Sequence, residues 1–226
     1  MKTPILFRPF VPMQAVRIYR RHLPHWRQEG ATYFVTFRLA DSIPYAVVEG
    51  WEADRKTWYQ AHGLTEDLPD ETWRSRYRAI SESERRSFER EQAKNLFDEL
   101  DCGHGQCHLR RAEVLEIVTA AFHFFDGQRL RCGDYAVMPN HIHWLIQPIP
   151  GEELESLLHS VKRFTATRIN GLLGRSGPFW QKENYDHIVR DLRELARIRE
   201  YIAANPAKAG LPKGDRVRSV AWIEGQ

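Results

Sequence analysis

The spacing of apolar positions changes several times along the chain, and each change marks an element. From Ala31 to Leu39 (ATYFVTFRL), β-branched and aromatic residues nearly alternate with others, bounded by Gly30, Asp41 and Pro44, which predicts a strand. From Val48 to Leu100 the spacing turns helical, with Val48, Trp51, Trp58, Phe88, Phe97 and Leu100 on helical faces. Ser81 with Glu84 forms a capping box inside that stretch, and Gly103 supplies a stop. Glu113 to Phe125 carries a broad helical stripe that includes Val114, Leu115, Val118, Ala121 and Phe122 and ends at Gly127. Two strands follow, Arg131 to Met138 and His141 to Gln147, joined at Pro139-Asn140. A long helix from Glu153 to Leu173 places Leu154, Leu157, Leu158, Val161, Phe164 and Leu172 on its apolar side, with Gly174 at its end. The last helix starts at Asp191 with Glu194 as capping partner, turns Leu195, Ile198 and Ile202 inward, and is expected to stop at Asn205-Pro206.

This order predicts an α+β fold in one domain spanning residues 1–226: an antiparallel sheet of four or five strands with helices on one face. Residues 1–30 read as a basic N-terminal arm and residues 42–108 as a mainly helical insertion. Composition narrows the class. A chain of 226 residues with 42% hydrophobic content can bury a sizeable core, which excludes intrinsic disorder. No apolar run approaches the roughly 18 residues of a membrane span, and the apolar stretch in Met1 to Pro12 is too short for a signal peptide. Cys102, Cys107 and Cys132 cannot all pair within one chain, so no disulfide framework is expected; the expectation is a cytoplasmic protein with no membrane partner. Net charge is only +3, yet residues 156–226 hold 13 Lys and Arg against 7 Asp and Glu, whereas residues 49–108 hold 9 against 14. The carboxyl end therefore favours an anionic partner, although a solvated basic face would look the same.

Candidate chemistry begins on the second strand of the pair. His141 and His143 project to one face, and Ile142, Trp144 and Ile146 to the other. Two imidazoles so placed can converge on a divalent cation or meet a phosphate; they can also be two unrelated histidines near a sheet surface. A histidine-triad hydrolase would place a third histidine at position 145, where Leu145 stands. On the last helix Tyr201 and Asn205 lie four residues apart and share a face, with a Tyr at a core boundary and an Asn cap as the plain alternative. Lys162, Arg163, Arg168, Arg175, Lys182 and Arg190 could track a DNA backbone, and Phe179 and Trp180 could stack on bases or anchor the following loop. In Cys102-Gly-His104-Gly-Gln-Cys107-His108 four residues of zinc-ligand type fall within seven positions, which crowds a tetrahedral site.

Taken together, YAVMPNHIHWL (135–145), SGPFWQK (176–182), DHIVRD (186–191) and YIAANPAKAGL (201–211) resemble the single-tyrosine HUH transposases, specifically the REP-associated tyrosine transposase group. The resemblance also takes in Tyr19 to Asp41 and Leu100 to Leu109 and leaves out 42–98. It implies a ferredoxin-like sheet and cleavage and rejoining of single-stranded or hairpin DNA through a covalent 5′-phosphotyrosine. Tyr201 would be the nucleophile, and His141, His143 and Asn205 would hold Mg²⁺ or Mn²⁺, with the metal site on an exposed face of the sheet. Asn205 stands where two-tyrosine relatives carry a second Tyr. Tyr185, beside Asp186 and His187, is the competing nucleophile. Two other classes stay open: a domesticated hairpin-DNA-binding protein without turnover, and a nuclease that uses water. The oligomeric state is open between monomer and homodimer.

Overall fold

In the computed structural model, which describes residues 4–20, 24–212 and 214–224, four strands come first: β1 (Ile5–Phe7), β2 (Arg17–Arg20), β3 (Pro24–Arg27) and β4 (Tyr33–Arg38). Helices α1 (Tyr45–Ala61), α2 (Asp70–Ala79), α3 (Glu82–Asp101) and α4 (Ala112–Phe124) lead to β5 (Leu130–Val137) and β6 (His141–Pro148). The chain ends through α5 (Leu154–Leu173), β7 (Tyr185–Ile188), α6 (Leu192–Lys208), β8 (Val217–Arg218) and β9 (Trp222–Glu224). Five strands form one sheet in the order β7-β4-β6-β5-β8, every pairing antiparallel. The α+β reading holds. β1 pairs with β9 in parallel, and β2 with β3 as a hairpin.

One face of the sheet buries Tyr33, Val35, Phe37, Val137, Ile142, Trp144 and Ile146 against Val114, Val118 and Phe122 of α4 and Leu157, Val161 and Ile169 of α5. The ring of Phe122 stacks on Trp144 with centroids 4.3 Å apart. Each such side chain contributes about 1.5–3 kcal/mol on burial, so this layer dominates the fold's stability. The opposite face is also covered. Phe34, Ala136 and Leu145 pack against Leu195 and Ile202 of α6, with Phe97 of α3 at their edge.

Capping follows the sequence: Ser81 accepts from the Glu84 amide at 3.2 Å, and Asp191 from the Glu194 amide at 2.7 Å. Two helix details differ from expectation. On α5, Phe164 and Leu172 are 53% and 48% exposed, while Thr165 and Ile169 are buried. Trp180 occupies the space beside the sheet and donates Nε1–H to Thr165 Oγ1 at 2.8 Å, so a small hydroxyl residue faces inward there. Helix α6 runs on through Pro206 to Lys208. Pro206 is buried, and its packing outweighs the one backbone bond that the missing N–H removes.

Of the predicted basic arm, residues 1–3 and 21–23 lie outside the described residues. The β2–β3 hairpin is fastened to β7 by a buried ion cluster. Arg27 donates Nη1 and Nη2 to the two oxygens of Asp186 at 2.5 and 3.0 Å, and its Nε to Glu155 at 2.9 Å. His25 contacts Asp186 Oδ2 at 2.7 Å and Glu183 at 3.3 Å. Among the described residues no helix is long and apolar enough to cross a membrane. The three cysteines are free.

Burial alone would lower the pKa of His25, but the hydrogen bonds to Asp186 and Glu183 outweigh it and push the group up to about 9. A group raised in the folded state contributes fully below its unfolded value near 6.5 and loses that contribution as pH climbs through about 9. Denaturant unfolding should therefore show a wild-type advantage over His25→Gln of at most roughly 3 kcal/mol at pH 6 that fades by pH 9.5. A pH-independent difference would remove His25 from the charged cluster.

Candidate active site

Side-chain alternation on β6 sends His141 and His143 to the face opposite Trp144, toward α6. Each ring is pinned at Nδ1. His141 Nδ1 lies 2.8 Å from Asn140 Oδ1, and His143 Nδ1 lies 2.7 Å from Thr36 Oγ1, which the β4–β6 register places directly opposite. The Asn140 amide is oriented by its Nδ2, which donates to the His104 carbonyl at 3.1 Å. Its Oδ1 can then only accept, so His141 carries its proton on Nδ1 and presents a bare Nε2. That Nε2 sits 3.0 Å from Nε2 of His143.

The phenol of Tyr201 completes the cluster, its OH 3.2 Å from His143 Nε2. One turn on, Asn205 is wholly buried; its Nδ2 donates to the Tyr201 carbonyl at 2.9 Å, and its Oδ1 has no hydrogen-bond partner. The structure thus brings together the four residues singled out from the sequence. The exposed sheet face expected for the site is not what the fold provides: His141 and His143 are 1% and 0% exposed, because α6 closes over them. Phe34 stacks on His143 at 5.6 Å, and Phe97 meets the same ring edge-on at 5.5 Å.

Enclosure sets the electrostatics. Burial, reinforced by the charge of Lys208, holds His141 down to about 3. Burial, then His141 and Lys208, hold His143 well below the usual histidine range. Both imidazoles are neutral at pH 7 and can act as ligands. Burial pushes the Tyr201 phenol up to about 12; a hydrogen bond with Asn205 opposes this, and Asp101 and Asp98 add to it. The ammonium of Lys208 lies 4.9 Å from the Tyr201 ring centre and 3.5 Å from Asp101.

The donor set suits a divalent cation. Two imidazole nitrogens face each other across the site, and on the helix that carries Tyr201 a buried carboxamide oxygen, Asn205 Oδ1, lacks any donor. Ligands about 2.1 Å from an ion and at right angles stand about 3.0 Å apart, the separation of the two Nε2 atoms. Tyr185, the competing nucleophile, sits on β7 with its ring edge-on to Phe34 and Phe97, and burial raises its phenol beyond the usual tyrosine range.

The basic residues divide between two places. Lys162, Arg163 and Lys182 line a groove of about 330 Å³ between α5 and residues 177–184, with Arg168 exposed further along the helix. The guanidinium of Arg175 lies 5.6 Å over the Phe179 ring. Arg190 belongs elsewhere, in a cleft of about 590 Å³ between α3 and α6 that reaches Tyr201. Trp180 is a correction. At 6% exposure, bonded to Thr165 and packed edge-on to Phe37 at 4.9 Å, it anchors the core and has no face to offer a base. Of the four zinc-type ligands only two converge: Cys102 and His104 bring ligand atoms within 4.8 Å of each other and of Glu99, while Cys107 donates to the Gly103 carbonyl and His108 stacks on Phe179.

Sequence reasoning missed Asn140, Thr36 and Phe97 as parts of the site. Asn140 stands in plain view beside His141. Thr36 becomes visible only through the strand register, and Phe97 only through the placement of α3.

Comparison with known proteins bears on the same span. Residues 112–205 match the family model described as "Transposase IS200 like", a stretch that runs from the start of α4 to Asn205 and contains His141, His143 and Tyr201. The resemblance seen in the sequence motifs is thus matched by a family likeness over the segment that carries the site. An uncharacterised protein of Haemophilus influenzae is 29% identical over 34% of this chain and 55% of its own length, so the chain spans about half the length of that relative. A solved structure titled "Structure of the REP associates tyrosine transposase bound to a REP hairpin" is similar with a TM-score of 0.45 and 14% identity, over 87% of this chain and 76% of that one.

The donor set predicts a binding measurement that needs no substrate. Mn²⁺ or Mg²⁺ at about a hundred times its dissociation constant should stabilise the wild type by about 2.7 kcal/mol, raising Tm by about 5–10 °C. His143→Ala should show no rise. Equal rises in both proteins would place the cation elsewhere.

Proposed function

We propose that this protein is a metal-dependent DNA strand transferase of the single-tyrosine HUH type, which cleaves and rejoins single-stranded DNA at palindromic hairpin elements. The observation that carries the reading is the meeting of Tyr201 OH with both imidazole Nε2 atoms in one enclosed space, with Asn205, buried and its Oδ1 partnerless, one turn further along the same helix. Residues 1–226 would act as one catalytic domain, with 42–108 inserted in it, working in the cytoplasm as a monomer or homodimer.

The chain's own residues account for most of the chemistry. Tyr201 is delivered by the same helical face as Asn205, so nucleophile and ligand move as one unit toward a phosphate. A phenol held up near 12 is protonated at rest and must lose that proton to attack. Its oxygen then bonds to phosphorus, the bond from phosphorus to the 3′ oxygen breaks, and the leaving oxygen takes a proton to become a 3′-hydroxyl. Rejoining is the reverse with another 3′-hydroxyl, so the phosphotyrosine conserves the bond energy and no nucleotide cofactor is called for. Mg²⁺ or Mn²⁺ held by His141, His143 and Asn205 would polarise the scissile phosphate and offset its charge. Thr36 and Asn140 keep each imidazole turned with Nε2 inward. Lys162, Arg163, Arg168, Arg175 and Lys182 would hold DNA phosphates.

Labelled hairpin DNA with single-stranded flanks, run on denaturing gels, tests the reading. Wild type and Tyr185→Phe should form a covalent adduct in Mn²⁺ and lose it in EDTA, and Tyr201→Phe should form none while still binding DNA. An adduct that persists in Tyr201→Phe would move the nucleophile. Cleavage without an adduct in the wild type would favour attack by water, and binding without cleavage a domesticated DNA-binding protein.

A further inference from the structure

The cleft between α3 and α6 has Tyr201, Phe34 and Phe97 in its lining, and its two walls bring cations toward one another. Arg90 and Lys94 stand one turn apart on α3, and Arg197 stands one turn before Tyr201 on α6. Lys94 pairs with Asp98 at 2.6 Å, and Arg86 with Glu82. Among the described residues Arg90 and Arg197 are exposed and pair with no carboxylate. The acids of the same cleft are engaged otherwise. Glu194 contacts His187 at 3.1 Å and accepts the Arg190 amide at 2.7 Å, Asp191 caps α6, and Glu89 accepts the Tyr77 hydroxyl at 2.9 Å.

The lining holds Arg86, Arg90, Lys94, Arg190 and Arg197 against Glu89, Asp191 and Glu194, so the wall beside Tyr201 carries more positive than negative charge. Building on the strand-transfer reading above, we propose that the α3–α6 cleft is the path of the single-stranded DNA segment that adjoins the cleaved bond, with backbone phosphates on Arg90 and Arg197. A guanidinium suits this because it meets phosphate oxygens through two parallel N–H donors. Residues 42–108 thereby gain a part in substrate binding, since α3 supplies one wall of the track and α6, which carries Tyr201, supplies the other. The Lys162, Arg163 and Lys182 groove is then left for the paired stem.

The test measures binding of two fluorescein-labelled probes, an oligothymidine of about ten nucleotides and a blunt DNA hairpin, to full-length protein. Arg90→Gln combined with Arg197→Gln should weaken oligothymidine binding about tenfold and lower its salt slope by about 1.4, at about 0.7 per lost single-strand contact. Hairpin binding should keep its salt slope. Both side chains are exposed, so an unchanged melting temperature is expected and checks that the fold is intact. Unchanged oligothymidine affinity and slope would overturn the assignment, as would equal losses on both probes. Failure of the wild type to form an adduct with any hairpin substrate would end the cleavage reading alone, since the oligothymidine result still decides whether the cleft binds a strand.

Discussion

The register between β4 and β6 is the constraint on which the rest of the site depends. It places Thr36 opposite His143 and Phe34 opposite Leu145, so one side of the paired strands receives the imidazoles with their orienting hydroxyl and the other receives Val35, Phe37 and Trp144. A slip of one residue would carry the imidazoles into the apolar layer and Trp144 into the site. The layer under α4 and α5 forbids this, because Phe122 stacks on Trp144 and Phe37 lies edge-on to both Phe122 and Trp180. Packing on one face thus fixes chemistry on the other.

Enclosure of the histidine face carries a cost that the donors around it only partly offset. Buried polar atoms normally find partners, and here Nδ1 of each imidazole and the Asn205 amide nitrogen do. The two Nε2 atoms meet each other and the Tyr201 hydroxyl, and the atom left without any partner is Asn205 Oδ1. A buried carbonyl oxygen without a donor costs free energy until a donor or a cation reaches it, and burial keeps both neighbouring histidines neutral at pH 7. Rigidity comes at the same point: Asn140 ties His141 to the loop that follows α3 through the His104 carbonyl.

Much of this is legible in the chain. Alternation in β4, β5 and β6, the helical stripes of α4 and α5, and both capping pairs can be read directly because each rests on local chemistry. His141, His143, Tyr201 and Asn205 stand out because strand and helix periodicity assign faces without knowledge of the tertiary fold. What escapes such reading depends on long-range packing. Trp180 reads as a base-stacking aromatic until Thr165 offers its indole a partner inside the core. Phe164 and Leu172 fit a helical stripe on paper, but α5 turns Thr165 and Ile169 to the sheet instead. The enclosure of the histidine face is hidden as well, since no local signal tells that α6 and Phe97 fold over it.

That enclosure is built largely by one element outside the sheet. Phe97 touches His143, Tyr201, Phe34 and Tyr185, so one side chain of α3 forms much of the roof over the site. The roof rests on these ring contacts, on the buried Phe88 and Leu100 of α3, and on the exposed Lys208–Asp101 pair, and a surface pair of that kind contributes about 1 kcal/mol or less. The floor, by contrast, is the central sheet with its fully buried core. The sheet fixes the orientation of the imidazoles from below, and the segment least recognisable in the sequence motifs is the one that covers the residues most recognisable in them.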